Sequence, residues 1–285
     1  MPQGSSSSTD VAEISIVEDC VGEMRRLNDL VRLLSQIPDE AWVAAVNQTP
    51  SCRFLRPLSQ AWPFGRFAAL YLMGGLNNYQ LKGRAEDAYW PKILPLIEQA
   101  AIPRHPHELR ETLQPFYRAE RFSTAKLNRL DRFLGSSLCG RIWDSDSGII
   151  ATEFLTIWPE LARTMRQARG KKTIVFGMKC LAYALILVGK TGFDFRPIPI
   201  PVDSRIRELS RRLGLVSRGD AQERARWNQV IDNIRSSNPG VTMLHLDSVL
   251  WQIGTLSKRQ IKNHLLGLGF QADLAENIVE LFDGQ

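Results

Sequence analysis

From Val11 onward, apolar residues recur at three- and four-residue steps: Ile14, Val17, Val21, Met24, Leu27, Leu30, Val31 and Leu34 open the series. That spacing lines one face of an α-helix. The same pattern predicts helices near residues 67–76, 86–100, 108–118, 123–134, 153–166, 172–188, 204–213, 221–236, 245–253, 257–266 and 272–282. Pro38 opens a further short helix, with Asp39 and Glu40 in the first turn, where the helix dipole favours acids. Ser123 reads as an N-cap. Alternating Val/Ile/Thr runs are nearly absent and no repeat has a fixed period, so the fold class is all-α. Pro50, Pro57, Pro63 and Gly65 read as breaks between elements, and residues 139–148 as a loop. The Ser-rich residues 1–10 read as a disordered tail, and residues 11–285 as one two-lobed helical domain.

Several function classes are excluded early. The four cysteines (Cys20, Cys52, Cys139, Cys180) contain no C-x-x-C pair, which argues against a cysteine-built zinc site or iron–sulfur cluster and for reduced thiols inside a cell. The N-terminus lacks the apolar core of a secretory signal. Thr173–Gly189 is strongly apolar, but its 17 residues carry Lys179 near the middle, so a buried helix fits better than a membrane span. A net charge of +6 permits a nucleic-acid partner without requiring one.

Two segments carry the chemistry. In the first, Met165–Leu185, a helix bearing Arg163 and Arg166 meets a turn with Arg169 and Gly170, and a second, apolar helix begins at Lys171–Lys172. The helical hairpin, about 153–188, presents backbone N–H groups and several cations at its tip, an arrangement suited to a phosphate. In the second, prolines 197, 199 and 201 force a stiff extended arm, and Asp203 then stands at the N-cap position of the next helix. The Pro-Val-Asp segment spans 197–213.

An amine at the head of an apolar helix, beside another lysine and in low dielectric, is expected to keep a neutral nucleophilic fraction near neutral pH. A carboxylate held by backbone N–H groups is expected to stay ionised. An amine nucleophile with a fixed anion suits a reaction that passes through a cationic sugar.

The segment PVDSRIRELSRRLGLV resembles the Pro-Val-Asp region of the helix-hairpin-helix DNA glycosylases. Within them, KKTIVFGMKCLAYA, FRPIPIPVDSRI and LHLDSVLWQIG resemble, in order, the signatures of the archaeal-type 8-oxoguanine DNA glycosylase/lyase family, AGOG. The 31-residue separation of Lys172 and Asp203 also suits that family. The resemblance is strong over 162–254 and recognisable over 78–90. It implies a two-lobed helix-hairpin-helix fold with the active-site cleft between the lobes. It implies a bifunctional enzyme that removes 8-oxoguanine from double-stranded DNA and cuts the strand by β-elimination, with no cofactor and no metal. Lys172 matches the Schiff-base lysine, with Lys171 as its alternative, and Asp203 the catalytic aspartate. Phe176 matches the residue that stacks on the extruded base, and Pro201, Asp247 and Trp251 match base-contacting positions. Arg163, Arg166, Arg169, Gly170 and Lys171 are the phosphate-binding candidates. His245 reads as a structural or capping histidine.

Two positions depart from the family pattern. The second stacking aromatic falls at Tyr89 by ungapped matching or at Trp90 with one inserted residue; the larger ring favours Trp90. A base-reading Gln of the family falls at Ser51, with Gln48 close by. Serine cannot offer the paired donor and acceptor of an amide, which opens the substrate to another damaged base or to an abasic site. A non-catalytic helical DNA-binding protein is the remaining alternative. An intracellular monomer without membrane association is expected.

Overall fold

The computed structural model describes residues 22–83, 85–215, 219–254 and 256–282. The Ser-rich tail and Cys20 lie outside the described residues. Every regular element among those described is a helix. The chain divides into two compact units, one formed by Ala44–Pro201 with Thr242–Ser248 and the other by the remaining segments.

The chain begins with α1 (residues 22–34) and α2 (Asp39–Asn47). The larger unit then builds on α3 (Pro50–Ala61), α4 (Phe64–Asn77), α5 (Ala85–Ala88), α6 (Trp90–Gln99), α7 (Pro106–Ala119) and α8 (Ser123–Leu134). It continues through α9 (Ser137–Trp143), α10 (Ser147–Thr152), α11 (Phe154–Thr164) and α12 (Lys172–Leu187). Helices α4 and α12 form its centre. Both are apolar on almost every side, with Phe67–Asn77 and Gly177–Leu185 buried, the pattern of helices enclosed all round. Their contact is main chain to main chain: a Cβ added at Gly75 would lie 2.7 Å from both the Cα of Gly177 and the carbonyl oxygen of Phe176. Only glycine permits that approach.

The sequence misplaces four local features. The Pro50–Gly65 region is mostly helical: Pro50 occupies the first turn of α3, where no N–H is needed, and Pro57 sits on the exposed side of the same helix. Residues 139–148 fall largely in α9 and α10, which Ser136 and Asp146 cap by accepting backbone N–H bonds at 3.1 Å and at 2.7 and 2.9 Å. The helix expected at 86–100 breaks at Tyr89, where φ −106° and ψ −82° separate α5 from α6. The N-cap of α8 is Phe122, in left-handed conformation, and Ser123 is already helical.

The smaller unit contains α13 (Ser204–Arg212), α14 (Asp220–Ser237), the second half of α15 (Met243–Ile253), α16 (Lys258–Gly267) and α17 (Ala272–Leu281). Helix α13 is amphipathic and buries Ile206, Leu209 and Ser210. The buried Trp227 donates its indole N–H to Ser210 Oγ at 3.0 Å, which satisfies a polar edge in an apolar setting. Ser257 and Gln260 form a capping box at the start of α16.

Candidate active site

The hairpin is α11 and α12 joined through residues 165–171. Gln167 N–H donates to Ala162 C=O at 2.9 Å and closes the first helix. Thr173 Oγ1 donates to Gln167 Oε1 at 2.8 Å. Trp158 Nε1 donates to Arg169 C=O at 3.1 Å, and the Arg169 guanidinium lies 5.5 Å from the centre of the Trp158 ring. The left-handed residue of the turn is Arg166, at φ 53°, not Gly170, where an added Cβ meets nothing within 4 Å. Glycine is therefore not what bends this turn. Arg163, Arg166, Arg169 and Lys171 are exposed around it and Gly170 is half-buried.

Lys172 is the first residue of α12 and its side chain is exposed, with no partner among the described residues. The low-dielectric setting expected for its amine is not met: burial begins two residues later, at Ile174. Phe176, half-buried, follows one turn on, and the buried Lys179 and Tyr183 follow at i+7 and i+11 on the same face. This stripe runs from the exposed head of the helix into the core. The Lys179 ammonium lies 5.8 Å from the Phe176 ring centre and 5.4 Å from that of Tyr183.

Lys179 forms an ion pair with the carboxylate of Asp247, itself 2% exposed. Burial works against the Lys179 ammonium, but Asp247 and Tyr183 outweigh it and raise its pKa. Tyr183 donates to Ser248 Oγ at 2.7 Å, and Ser248 donates in turn to Leu244 C=O at 2.6 Å. Burial pushes the Tyr183 hydroxyl up to about 12. Sequence reasoning treated Lys179 only as an obstacle to a membrane span. Its spacing of seven from Lys172 is the signal in the sequence that places both lysines on one helix face.

Tyr71 joins the upstream candidates to this stripe. It donates to Ser51 Oγ at 2.7 Å, meets Trp90 edge-on at 5.6 Å, and lies 6.2 Å from Tyr183. Ser51 is half-buried, whereas Gln48 is exposed ahead of α3. Tyr89 is 1% exposed, packed among Trp90, Phe116 and Tyr117, with its hydroxyl bonded to that of Tyr117 at 2.5 Å. That packing makes Tyr89 a core residue. Trp90 is 5% exposed, and its ring fills the space left by Gly74, where a Cβ would lie 2.6 Å from it.

The proline arm ends at Pro201, which is buried together with Ile198, Ile200 and Val202. Asp203 caps α13: its Oδ1 accepts from Arg205 N–H at 2.9 Å and Ile206 N–H at 3.0 Å. Both bonds fall on one oxygen, and Oδ2 has no partner among the described residues. Trp251, half-buried, carries the Arg205 guanidinium 4.1 Å from its ring centre and accepts from Arg205 Nη1 at its carbonyl, 3.2 Å away. No periodicity in the sequence pointed to Arg205. His245 Nδ1 accepts the Thr242 N–H at 3.1 Å, a capping role. Lys172, Phe176, Ser51, Trp90, Pro201 and Asp247 belong to the larger unit; Asp203 and Trp251 belong to the smaller.

Among the described residues, no group of three or more His, Cys, Asp or Glu is placed to hold a metal ion. Burial pushes the thiol of Cys52 up to about 11 and that of Cys139 up to about 12, so both stay protonated near neutral pH. No helix among the described residues is long and apolar enough to cross a membrane.

A family model described as AGOG, N-glycosylase/DNA lyase, matches residues 31–277. The chain belongs to the AGOG family. Its enzyme class is N-glycosylase/DNA lyase. An N-glycosylase/DNA lyase of Methanopyrus kandleri is 29% identical over 221 residues, 75% of this chain and 83% of the relative. One of Aeropyrum pernix is 30% identical over 216 residues, 67% of this chain and 68% of the relative. The crystal structure of the Pyrobaculum aerophilum AGOG, an 8-oxoguanine DNA glycosylase complexed with 8-oxoguanosine, matches at a TM-score of 0.70 and 20% identity, covering 92% of this chain and 97% of that one. At that identity the likeness establishes the shared all-α AGOG fold.

Proposed function

We propose that this AGOG member removes 8-oxoguanine from double-stranded DNA and then cuts the strand, using Lys172 as nucleophile and Asp203 as the fixed anion. The observation that carries the reading is the availability of both groups: among the described residues the exposed Lys172 amine has no partner, and Asp203 offers Oδ2 while Oδ1 is held by the start of α13. A rigid carboxylate with one free oxygen suits positive charge that develops on a sugar.

The hairpin cations Arg163, Arg166, Arg169 and Lys171 bind backbone phosphates, and the damaged nucleotide leaves the stack. Extrusion brings C1′ of that nucleotide to the exposed Lys172 amine. That amine attacks C1′ and the bond from C1′ to the base breaks, the base leaving with its electron pair. The sugar ring opens to an iminium between Lys172 and C1′. Loss of a 2′ proton expels the 3′ phosphate oxygen from C3′, and water then hydrolyses the imine and frees the lysine. Phe176 and Trp90 flank the base, with the Lys179–Asp247 pair, Pro201 and Trp251 around its edge. The enzyme acts as a monomer and needs no cofactor.

Ser51 favours a second reading of the substrate: the same chemistry on another damaged base or on an abasic site. Its hydroxyl, already bonded to Tyr71, offers less to a purine edge than a carboxamide would.

Borohydride reduction during turnover tests the mechanism. Covalent trapping on 8-oxoguanine DNA is expected for the wild type, and its loss in Lys172→Gln. Trapping that persists in Lys172→Gln and vanishes in Lys171→Gln would transfer the role to Lys171. Release rates for 8-oxoguanine, guanine, hypoxanthine and uracil decide the substrate.

A further inference from the structure

The two site residues of the smaller unit, Asp203 and Trp251, stand on different elements and are joined by one residue, Arg205. Asp203 caps α13, and the main-chain N–H of Arg205 is one of the two donors to its Oδ1, at 2.9 Å. The side chain of the same Arg205 crosses to α15. Its guanidinium carbon lies 4.1 Å from the centre of the Trp251 ring, and Nη1 donates to the Trp251 carbonyl at 3.2 Å. Arg205 thus holds the carboxylate through its main chain and the indole through its side chain.

The packing of the two helices sets this crossing. An added Cβ at Gly254 would lie 3.3 Å from the Cβ of Arg205 and 3.5 Å from Leu209 Cδ1, so the end of α15 comes close to α13. Ile206 and Leu209 of α13 and Leu250 and Ile253 of α15 are all buried. The guanidinium stands well inside the roughly 6 Å over which an aromatic face attracts a cation. Trp251 is only half-buried, and its side-chain torsions would otherwise have several staggered states open to them. The stacked guanidinium, tied at the same time to the Trp251 carbonyl, selects one.

We propose that Arg205 is a positioning residue for base recognition: it fixes the Trp251 ring where the edge of the extruded base meets it, in register with Asp203 at the sugar. This rests on the glycosylase reading above. The role divides the reaction in two, because an abasic site has no base for Trp251 to touch. The Arg205 side chain serves base excision and is idle when the strand is cut at an abasic site. Its main-chain N–H serves Asp203 in both.

Single-turnover rates of Arg205→Met on an 8-oxoguanine duplex, and on the same duplex with an abasic site, test this. Excision should fall by about 2- to 30-fold, the range that one cation–π contact supplies. Cutting at the abasic site should keep the wild-type rate, since every main-chain bond to Asp203 is retained. A merely structural loss would lower both rates together, and a phosphate contact would reduce the slope of log K against log salt by about 1. Either result overturns the positioning role. In a Trp251→Leu background, Arg205→Met should lower excision no further; an additive loss overturns the action through Trp251. Should Arg205→Met fold poorly, the same pair of rates is read in Arg205→Gln, which keeps a planar donor for the Trp251 carbonyl without the charge. Unchanged excision in a folded variant, with an active wild type, overturns the role of Arg205 and leaves the glycosylase reading standing. A wild type that releases hypoxanthine or uracil in place of 8-oxoguanine overturns that reading, and the pair of rates is then taken on the released base. A wild type that releases no base overturns both.

Discussion

Lys179 and Asp247 form a buried ion pair seven residues along α12 from Lys172. The exposed lysine and the paired one thus share a helix face but differ in what can be done with their charge. The first is open to solvent. The second is committed to a carboxylate and to the Phe176 and Tyr183 rings.

Breaking that pair from one side should be costly. Lys179→Met leaves Asp247 buried without its cation, and a loss of about 3–5 kcal/mol in urea unfolding is expected. Adding Asp247→Leu should restore a large part of it, because an apolar pair carries no desolvation penalty. A double variant no more stable than Lys179→Met would count against the pair as the source.

Alkaline titration should report the same region. The folded pKa of Lys179 is raised, and that of Tyr183 stands at about 12. Both groups therefore bind protons more tightly folded than unfolded, so their stabilisation is complete below about pH 10 and is lost as pH rises above it. Unfolding midpoints measured from pH 8 to 12 should fall over the upper half of that range, and more gently in the Lys179→Met/Asp247→Leu variant.

Asp203→Asn separates capping from chemistry. Asparagine keeps a side-chain oxygen for Arg205 and Ile206 N–H, so the thermal midpoint should change little. Excision should nevertheless fall by about 10²- to 10³-fold, the scale of one lost electrostatic stabiliser. Excision at the wild-type rate would remove Asp203 from the mechanism.

Phosphate contacts at the hairpin should appear in salt dependence. Replacing Arg166, Arg169 or Lys171 by Gln should reduce the slope of log K against log salt by about 1 each, with little effect on sequence preference. Fluorescence anisotropy across a salt series measures this directly.

The helical frame was legible because apolar periodicity survives without knowledge of tertiary contacts: α11, α12, α13 and α17 lie within a few residues of their predicted bounds. Asp203 as a cap was legible for the same local reason. Pro57 was misread because a proline on an exposed helix face is tolerated, and exposure is a tertiary property. Helices α9 and α10 were missed because Ser136 and Asp146, not periodicity, announce such short elements. The exposure of Lys172 was not legible, since a sequence does not show where burial begins along α12. The partners Lys179–Asp247 and Arg205–Trp251 join distant segments, and no local pattern links them.

The glycine-to-glycine seam of α4 and α12 has its own consequence. Side chains can adjust by changing rotamer, but two touching main chains have no such freedom, so the depth at which Phe176 and Lys179 sit is a fixed dimension of the frame. A variant that takes a different base must therefore exchange side chains around that frame, because the frame itself has nowhere to move.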